Sequence, residues 1–227
     1  MFTPDSTSTL VFDVLGTLLD EDAAFRAAAA DAALRVGVEA AALSGAWSDA
    51  ITAAVDAVVA GRQRYASLDV LQERALEETL ERQGLTLPPD DLWRLARFGH
   101  RIAPFPDTLL AFNRLAADHS LLALTNAGLA QALAMSAAAG LRWHTLISCE
   151  LIGAYKPDPR TYGFLVDGLG LDPRSCLFVA AHPWDLDAAA KHGFATAYVD
   201  RTGEGLDEDR YDLVVPDLSA LADLLAR

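Results

Sequence analysis

The residues able to do chemistry fall in four short stretches. The first, TLVFDVLGTLLD from Thr9 to Asp20, carries Asp13 and Thr17. Thr125-Asn126 follows the run LLAL, Lys156 and Tyr162 lie in GAYKPDPRTYGF, and LFVAAHPWDLDAAA carries His182, Trp184 and Asp185. Leu10-Val11-Phe12 is apolar on both faces, as in a strand buried within a parallel sheet. Asp13 then falls at that strand's C-terminal end, where open α/β sheets place their ligands. Gly16 lets the chain leave the strand in a conformation that larger residues resist. Gathered at one set of strand ends, two carboxylates, an ammonium, an imidazole and short polar side chains could bind and react with a small polar molecule.

Each of these residues also has a plainer use. Thr-Asn at a strand end is a common turn former. Lys156 before Pro157 suits a solvated loop, and His182 before Pro183 suits the surface. Asp185 suits the N-cap of the helix that follows it. Their ordered occurrence in one chain is what favours a shared crevice.

The elements that must position them alternate along the chain. After the first strand come helical stretches at Ala23 to Val36, Ala40 to Val59 and Leu68 to Gln83, the last ended by Gly84. A fourth starts at Pro88-Pro89-Asp90. From Pro104 onward strand and helix alternate. Asp107 is placed to cap a helix before the strand Leu121 to Leu124, and a helix near Ala130 to Ala139 leads to Thr145 to Ser148. A helix capped by Asp158, with Pro159 in its first turn, precedes Cys176 to Ala180. A helix from about Leu186 to His192 leads to Ala195 to Val199, then come Leu213 to Val215 and a last helix, Leu218 to Ala226. This order predicts an α/β fold: a doubly wound, mostly parallel, Rossmann-like sheet with an inserted all-helical cap. The sheet domain takes residues 1–19 and 103–227, and the cap takes 20–102.

The chain has 227 residues, enough for one good core and a smaller second unit. Hydrophobic residues make up 52% and charged residues 22%, a globular balance. Eighteen Lys and Arg against 32 Asp and Glu give a formal net charge of −14, which disfavours nucleic acid and anionic membrane surfaces as partners. Cys149 and Cys176 form no disulfide framework and no metal spacing, and read as buried structural thiols. Leu121 to Leu141 holds no charged residue, but Thr125-Asn126 and Gly128 break it into strand, loop and buried helix. The N-terminus shows no basic segment followed by an apolar one, so a cytoplasmic location is expected.

With all four stretches in hand, the chain resembles the haloacid dehalogenase superfamily over nearly its full length. FDVLGTLLD looks like the nucleophile motif, LLALTNAG the second, AYKPDPRTY the lysine motif and FVAAHPWDLDAAAKHG the fourth. The helical insertion sits where that superfamily places its cap.

Two departures sort the chain within it. Phosphatases of the superfamily carry a second Asp two residues after the nucleophile, to protonate a leaving alkoxide; here Leu15 stands there. Losing such an acid removes a factor of ~10²–10⁴, about 3–5 kcal/mol, whereas a halide leaves without a proton. Phosphatases also place a magnesium-binding Asp at the strand end near Ala181, together with one at Asp185. Ala180-Ala181-His182 offers no carboxylate there, and magnesium tolerates the loss of a ligand poorly. The resemblance is therefore nearest to the type II 2-haloacid dehalogenases, whose fourth motif HPWDL also looks like.

That resemblance implies a mechanism without metal or other cofactor, acting on a small anionic 2-haloacid. Asp13 attacks C2 and expels halide, leaving an aspartyl ester. Lys156 keeps Asp13 ionised, and Asp185, with His182, handles the water that hydrolyses the ester. Thr17, Thr125 and backbone N–H groups near Leu15 position Asp13 and the substrate, Asn126 donates to the departing halide, Tyr162 orders this polar network from within the substrate site, and Trp184 adds to the pocket. His182 is a hint toward fluoride, which needs more hydrogen bonding to leave. A homodimer is left open.

Three features depart from the branch: Leu15 replaces a Tyr, Ala180 replaces a serine, and the cap arginine expected after a tryptophan aligns with Ser48 in Trp47-Ser48. Arg62 or Arg64 is the candidate substitute. A magnesium-dependent phosphatase with an atypical acid, and a non-catalytic protein on the same frame, are the alternatives.

Overall fold

A computed structural model describes residues 7–203 and 210–226. Its strands are β1 (Thr9–Phe12), β2 (Ser120–Thr125), β3 (Thr145–Ser148), β4 (Cys176–Ala180), β5 (Ala195–Val199) and β6 (Leu213–Val215). They form one sheet in the order β3-β2-β1-β4-β5-β6, and every pairing among them is parallel. From β1 the chain winds outward through β2 and β3, then crosses back so that β4 lies on the other side of β1. The order reverses at β1 and β4, and the crevice outside their C-terminal ends is where such sheets bind ligands.

The central strands are apolar on both faces because both faces are covered. Leu10 and Phe12 join a cluster with Phe112, Met135 and Leu221 on one face, and Val11 joins Leu124, Phe178 and Tyr162 on the other. This double burial explains why β1 and β4 read as unbroken hydrophobic runs, without the alternation of a half-exposed strand.

Between β1 and β2 lie α1 (Glu21–Val36), α2 (Ala40–Val59), α3 (Leu68–Glu81) and α4 (Pro89–Ala96). Asp20 caps α1, accepting from the Ala23 N–H at 3.0 Å, and Gly37 ends it in the left-handed conformation. These helices enclose a core of their own, with Ala29, Leu43, Trp47 and Leu76 fully buried. The Trp47 Nε1–H donates to the Gln72 carbonyl at 3.0 Å and locks α2 to α3. Val58, Leu68 and Leu71 instead join the sheet's core, so the helical layer is welded to the sheet beside the β1 loop.

The remaining helices are α5 (Thr108–Asp118), α6 (Leu129–Ala139), α7 (Pro159–Gly163), α8 (Pro183–Ala190) and α9 (Leu218–Leu224). Among the described residues no helix is long and apolar enough to cross a membrane. The uncharged window from Leu121 to Leu141 divides into β2, a loop and α6. Both cysteines are free and buried, and burial pushes the Cys149 thiol up to about 12, so it stays protonated.

One capping expectation holds in position only, and another is corrected. Asp107 occupies the N-cap of α5, but its side chain makes no capping bond there. Its carboxylate instead receives Arg201 at 2.8 and 2.9 Å and the Leu218 N–H at 2.7 Å. Asp185 is not the N-cap of α8: His182 holds that position, because Pro183 starts the helix earlier. Asp185 thereby falls in the first turn, fully buried behind the crevice.

Candidate active site

Asp13 follows β1 directly, its N–H bonded to the Val179 carbonyl at 3.0 Å. The chain then folds back within a few residues. Val14 O accepts from the N–H groups of Leu18 and Leu19, and the Gly16 N–H donates to Leu19 O at 2.9 Å. This tight loop returns Thr17 to Asp13: the hydroxyl donates to Asp13 Oδ2 at 2.6 Å while accepting from the Ala181 N–H at 2.9 Å. Thr17 thus bolts the loop after β1 to the loop after β4. Arg201 secures the same loop from outside, its Nε–H donating to Thr17 O at 2.9 Å.

Lys156 arrives from the loop after β3 and is 2% exposed. Its backbone is clamped by Asn126, whose Oδ1 accepts from the Lys156 N–H at 2.8 Å and whose Nδ2 donates to Lys156 O at 3.4 Å. The ammonium reaches Asp13 Oδ1 at 2.7 Å and Asp185 Oδ2 at 2.5 Å. Tyr162 donates its hydroxyl to the other Asp185 oxygen, Oδ1, at 2.5 Å. His182 Nδ1 lies 3.1 Å from Asp13 Oδ2 and donates to it when protonated.

Burial alone would raise the Asp13 carboxyl. Lys156 and His182 outweigh burial and hold it well below the usual carboxylate range. Burial alone would lower the Lys156 ammonium, but Asp13 and Asp185 keep it above the ordinary lysine value. Asp185 is pushed up by burial in spite of Lys156. His182 is raised, since its bond to Asp13 overcomes its burial. The site therefore holds a firmly ionised carboxylate beside a fixed positive charge.

A cleft of about 480 Å³ opens over Asp13. Leu15, Asn126, Lys156, His182 and Trp184 share its wall, and Ile51, Val55 and Val59 of α2 with Leu68 of α3 supply the apolar side. Trp184 lies with its ring 5.8 Å from the Lys156 ammonium. Three residues expected to meet substrate, Thr17, Thr125 and Tyr162, are wholly buried and outside this lining. Thr125 shapes the turn after β2, its hydroxyl accepting from the Ala127 N–H at 3.2 Å. Asp185 is likewise absent from the wall, its carboxylate reaching the lining through Lys156.

Among the described residues no arginine lines the cleft. Ser48 is exposed, and Arg62 and Arg64, expected as candidates, are exposed and outside the lining. The cleft instead holds Glu21, the first residue of α1, which no motif marks. Burial, and then the charge of Asp13, push the Glu21 carboxyl up to about 7.

Magnesium, which the phosphatases of the resembled superfamily use, does not fit these donors. The Lys156 ammonium takes the place between Asp13 and Asp185, and Ala181 brings no carboxylate to the strand end. Among the described residues no group of three or more His, Cys, Asp or Glu side chains is arranged to hold a metal.

Residues 7–193 match the family described as haloacid dehalogenase-like hydrolase. The chain belongs to that family. This hydrolase is 31% identical over 228 residues to (S)-2-haloacid dehalogenase 4A of Burkholderia cepacia, an alignment covering 98% of this chain and 96% of that one. Alignments to two Pseudomonas (S)-2-haloacid dehalogenases span 66% and 64% of those proteins' lengths. Among solved structures it superposes on the L-2-haloacid dehalogenase PA0810 with a TM-score of 0.88 and 33% identity, covering 97% of this chain and 99% of that one. The defluorinating L-2-haloacid dehalogenase Rha0230 gives a TM-score of 0.88 at 28% identity, covering 100% and 99%. The α/β fold of this hydrolase is that of the dehalogenases.

Proposed function

We propose that this hydrolase cleaves the carbon–halogen bond of a short 2-haloacid, without a metal, through an ester on Asp13. The observation that carries this reading is the Lys156 ammonium, fixed 2.7 Å from Asp13 and 2.5 Å from Asp185. It keeps Asp13 ionised without drawing a metal onto the oxygens that must attack carbon. Leu15 supports the same reading, since it brings no acid for an alkoxide leaving group.

In the first step a carboxylate oxygen of Asp13 attacks C2 in line, the new C–O bond forms and the carbon–halogen bond breaks with its electron pair leaving on the halide. Trp184, Leu15 and the α2 side chains keep bulk water from the displacement. In the second step a water attacks the ester carbonyl of Asp13, releasing the 2-hydroxyacid and restoring the carboxylate. We assign the acceptor of the water's proton to His182, because it lines the cleft and Asp185 does not. Once Asp13 is esterified its negative charge is gone, and with it much of what raises His182; a neutral imidazole is then available as base. Asp185 with Tyr162 positions Lys156. Asn126, which clamps the Lys156 backbone, retains an amide hydrogen for the halide, and His182 adds a second donor that would help fluoride depart.

Residues 20–102 act in this reading as the cap, and 1–19 with 103–227 as the catalytic core. The separate helical cluster supports that division. A cytoplasmic site of action belongs to the same reading, supported by two free buried thiols and a net charge of −14.

The test is halide release from chloroacetate, fluoroacetate and L-2-chloropropionate in the presence of EDTA, with mass analysis of Asp13. Release accompanied by an ester adduct is expected. Release of phosphate from p-nitrophenyl phosphate that requires magnesium and vanishes in Asp13→Asn, with no halide released, would replace this reading with phosphoryl transfer.

A further inference from the structure

A 2-haloacid brings a carboxylate into a cleft whose basic side chains among the described residues, Lys156 and His182, both already face Asp13. Lys156 is committed to Asp13 and Asp185, and neither Arg62 nor Arg64 lines the wall. The ionisable side chains that do are Asp13, Glu21, Asp56, Tyr155, Lys156 and His182, and the Tyr155 hydroxyl is engaged with the Ala66 carbonyl. Glu21 stands in the wall with Leu15, Ile51 and Val55, and among the described residues no hydrogen bond or ion pair holds its carboxyl. Asp13 is ionised and Asp56 sits exposed on α2, so Glu21 is the carboxyl placed to meet a substrate beside Leu15.

We propose that protonated Glu21 receives the substrate's carboxylate, donating its O–H to it, so that short anionic acids enter better at mildly acidic than at alkaline pH. The proposal rests on the haloacid reading above. Glu21 and the Asp13 nucleophile line the same cleft, together with the apolar Ile51, Val55 and Val59 of α2. A carboxyl donating to a carboxylate makes a short, charge-assisted bond. The ionised form would instead place two like charges in a partly desolvated space.

The groups around Glu21 act in both directions. Asp13 from the β1 loop and Asp22 from α1 favour the protonated form, as does burial, while His182 from the start of α8 opposes it; together they leave Glu21 at about 7. Lys156, from the loop after β3, and Asp56, from α2, also face the cleft. The N-terminus of α1 favours the ionised form, as at any helix start. Protonation is therefore favoured below neutrality and lost above it, and His182, raised by its bond to Asp13, is the neighbouring imidazole whose own proton must be told apart from that of Glu21.

Acetate, which carries the carboxylate and no leaving group, is the probe. Its binding to the full chain is measured by calorimetry at pH 6, 7 and 8 for the wild type, Glu21→Gln and Glu21→Leu. A group at about 7 passes from mostly protonated to mostly ionised over this span, so wild-type binding is expected to weaken about tenfold from pH 6 to pH 8. Glu21→Gln keeps a donor that does not titrate and is expected to bind with little pH dependence. Glu21→Leu is expected to bind poorly throughout. Wild-type pH dependence surviving in Glu21→Gln would assign the effect to His182 and overturn the proposal, as would undiminished binding by Glu21→Leu at pH 6. Halide release from chloroacetate, followed in the same buffers, reads the reaction separately. Release with flat acetate binding overturns Glu21's role alone; the expected binding without release supports that role and overturns the dehalogenation.

Discussion

Gly16 faces His182 so closely that a Cβ on Gly16 would stand 2.9 Å from His182 Cε1. The glycine also has φ +72°, in the left-handed region. Backbone and contact therefore demand the same residue, in the loop that returns Thr17 to Asp13. Gly16→Ala is expected to cost about 1–2 kcal/mol from the backbone alone. It should also push the imidazole away from Asp13, lowering halide release by more than the stability loss explains. Denaturant midpoints and turnover measured on the same preparation check both; unchanged turnover would show that the His182 position does not matter.

Lys156 holds two buried carboxylates. Replacing it by Met leaves Asp185 without a counter-charge and Asp13 with His182 alone, a change that costs about 3–5 kcal/mol when a buried pair is broken. In that variant burial holds the Asp185 carboxyl still further above its unfolded value, with Lys156 no longer opposing it. Its penalty is then full at neutral pH and shrinks as pH falls through the raised value, so the gap to the wild type should narrow in mild acid. Urea unfolding at pH 7 and pH 5 tests this. A gap that widened toward pH 5 would contradict the charge argument, and any halide release by the variant would remove Lys156 from the reaction.

His182 and Asp185 make separable contributions to the second step. If His182 takes the water's proton, His182→Gln should still form the Asp13 ester but hydrolyse it ~10²–10⁴-fold more slowly, the range of general base catalysis. Intact-mass measurement after mixing with chloroacetate should show the adduct accumulating. Asp185→Asn should slow ester formation as well, because Lys156 loses the partner that positions it. Rapid ester turnover in His182→Gln, with accumulation in Asp185→Asn, would return the base to Asp185.

Much of this was legible in the sequence because the signals are local. β1 and β4 are short apolar runs ended by polar residues, and Gly16 and Pro159 punctuate the chain at fixed offsets from Asp13 and Asp158. The missing cap arginine was legible too, as Ser48 beside Trp47. Glu21 was not, because an acid at the first position of a helix is ordinary there, and only the fold turns it into the cleft. Asp185 reads as a cap until the helix is seen to start at Pro183. The bridge from Asp107 to Arg201 joins residues 94 apart in the chain, and no local signal announces it.

That bridge carries the last prediction. Arg201 meets both Asp107 oxygens and Thr17 O, and its guanidinium lies 4.3 Å from the Phe105 ring centroid. It joins the catalytic loop to the start of α5 and, through Asp107 and Leu218, to α9. Burial alone would raise Asp107, but Arg201 and the Leu218 N–H hold it below the ordinary carboxylate range. The resulting stability is present above that range and lost as pH falls through the lowered value. Arg201→Lys keeps the charge but cannot span two oxygens and a carbonyl with one fork, so it should lose roughly 1–2 kcal/mol, in the range of a charge-assisted hydrogen bond. Its turnover should fall while acetate binding is kept, since Thr17 shifts and Glu21 does not. A thermal melt across pH 4 to 8, beside kcat and KM for chloroacetate, tests it; a raised KM at constant kcat would mean that Arg201 acts on substrate entry and not on the Asp13 loop.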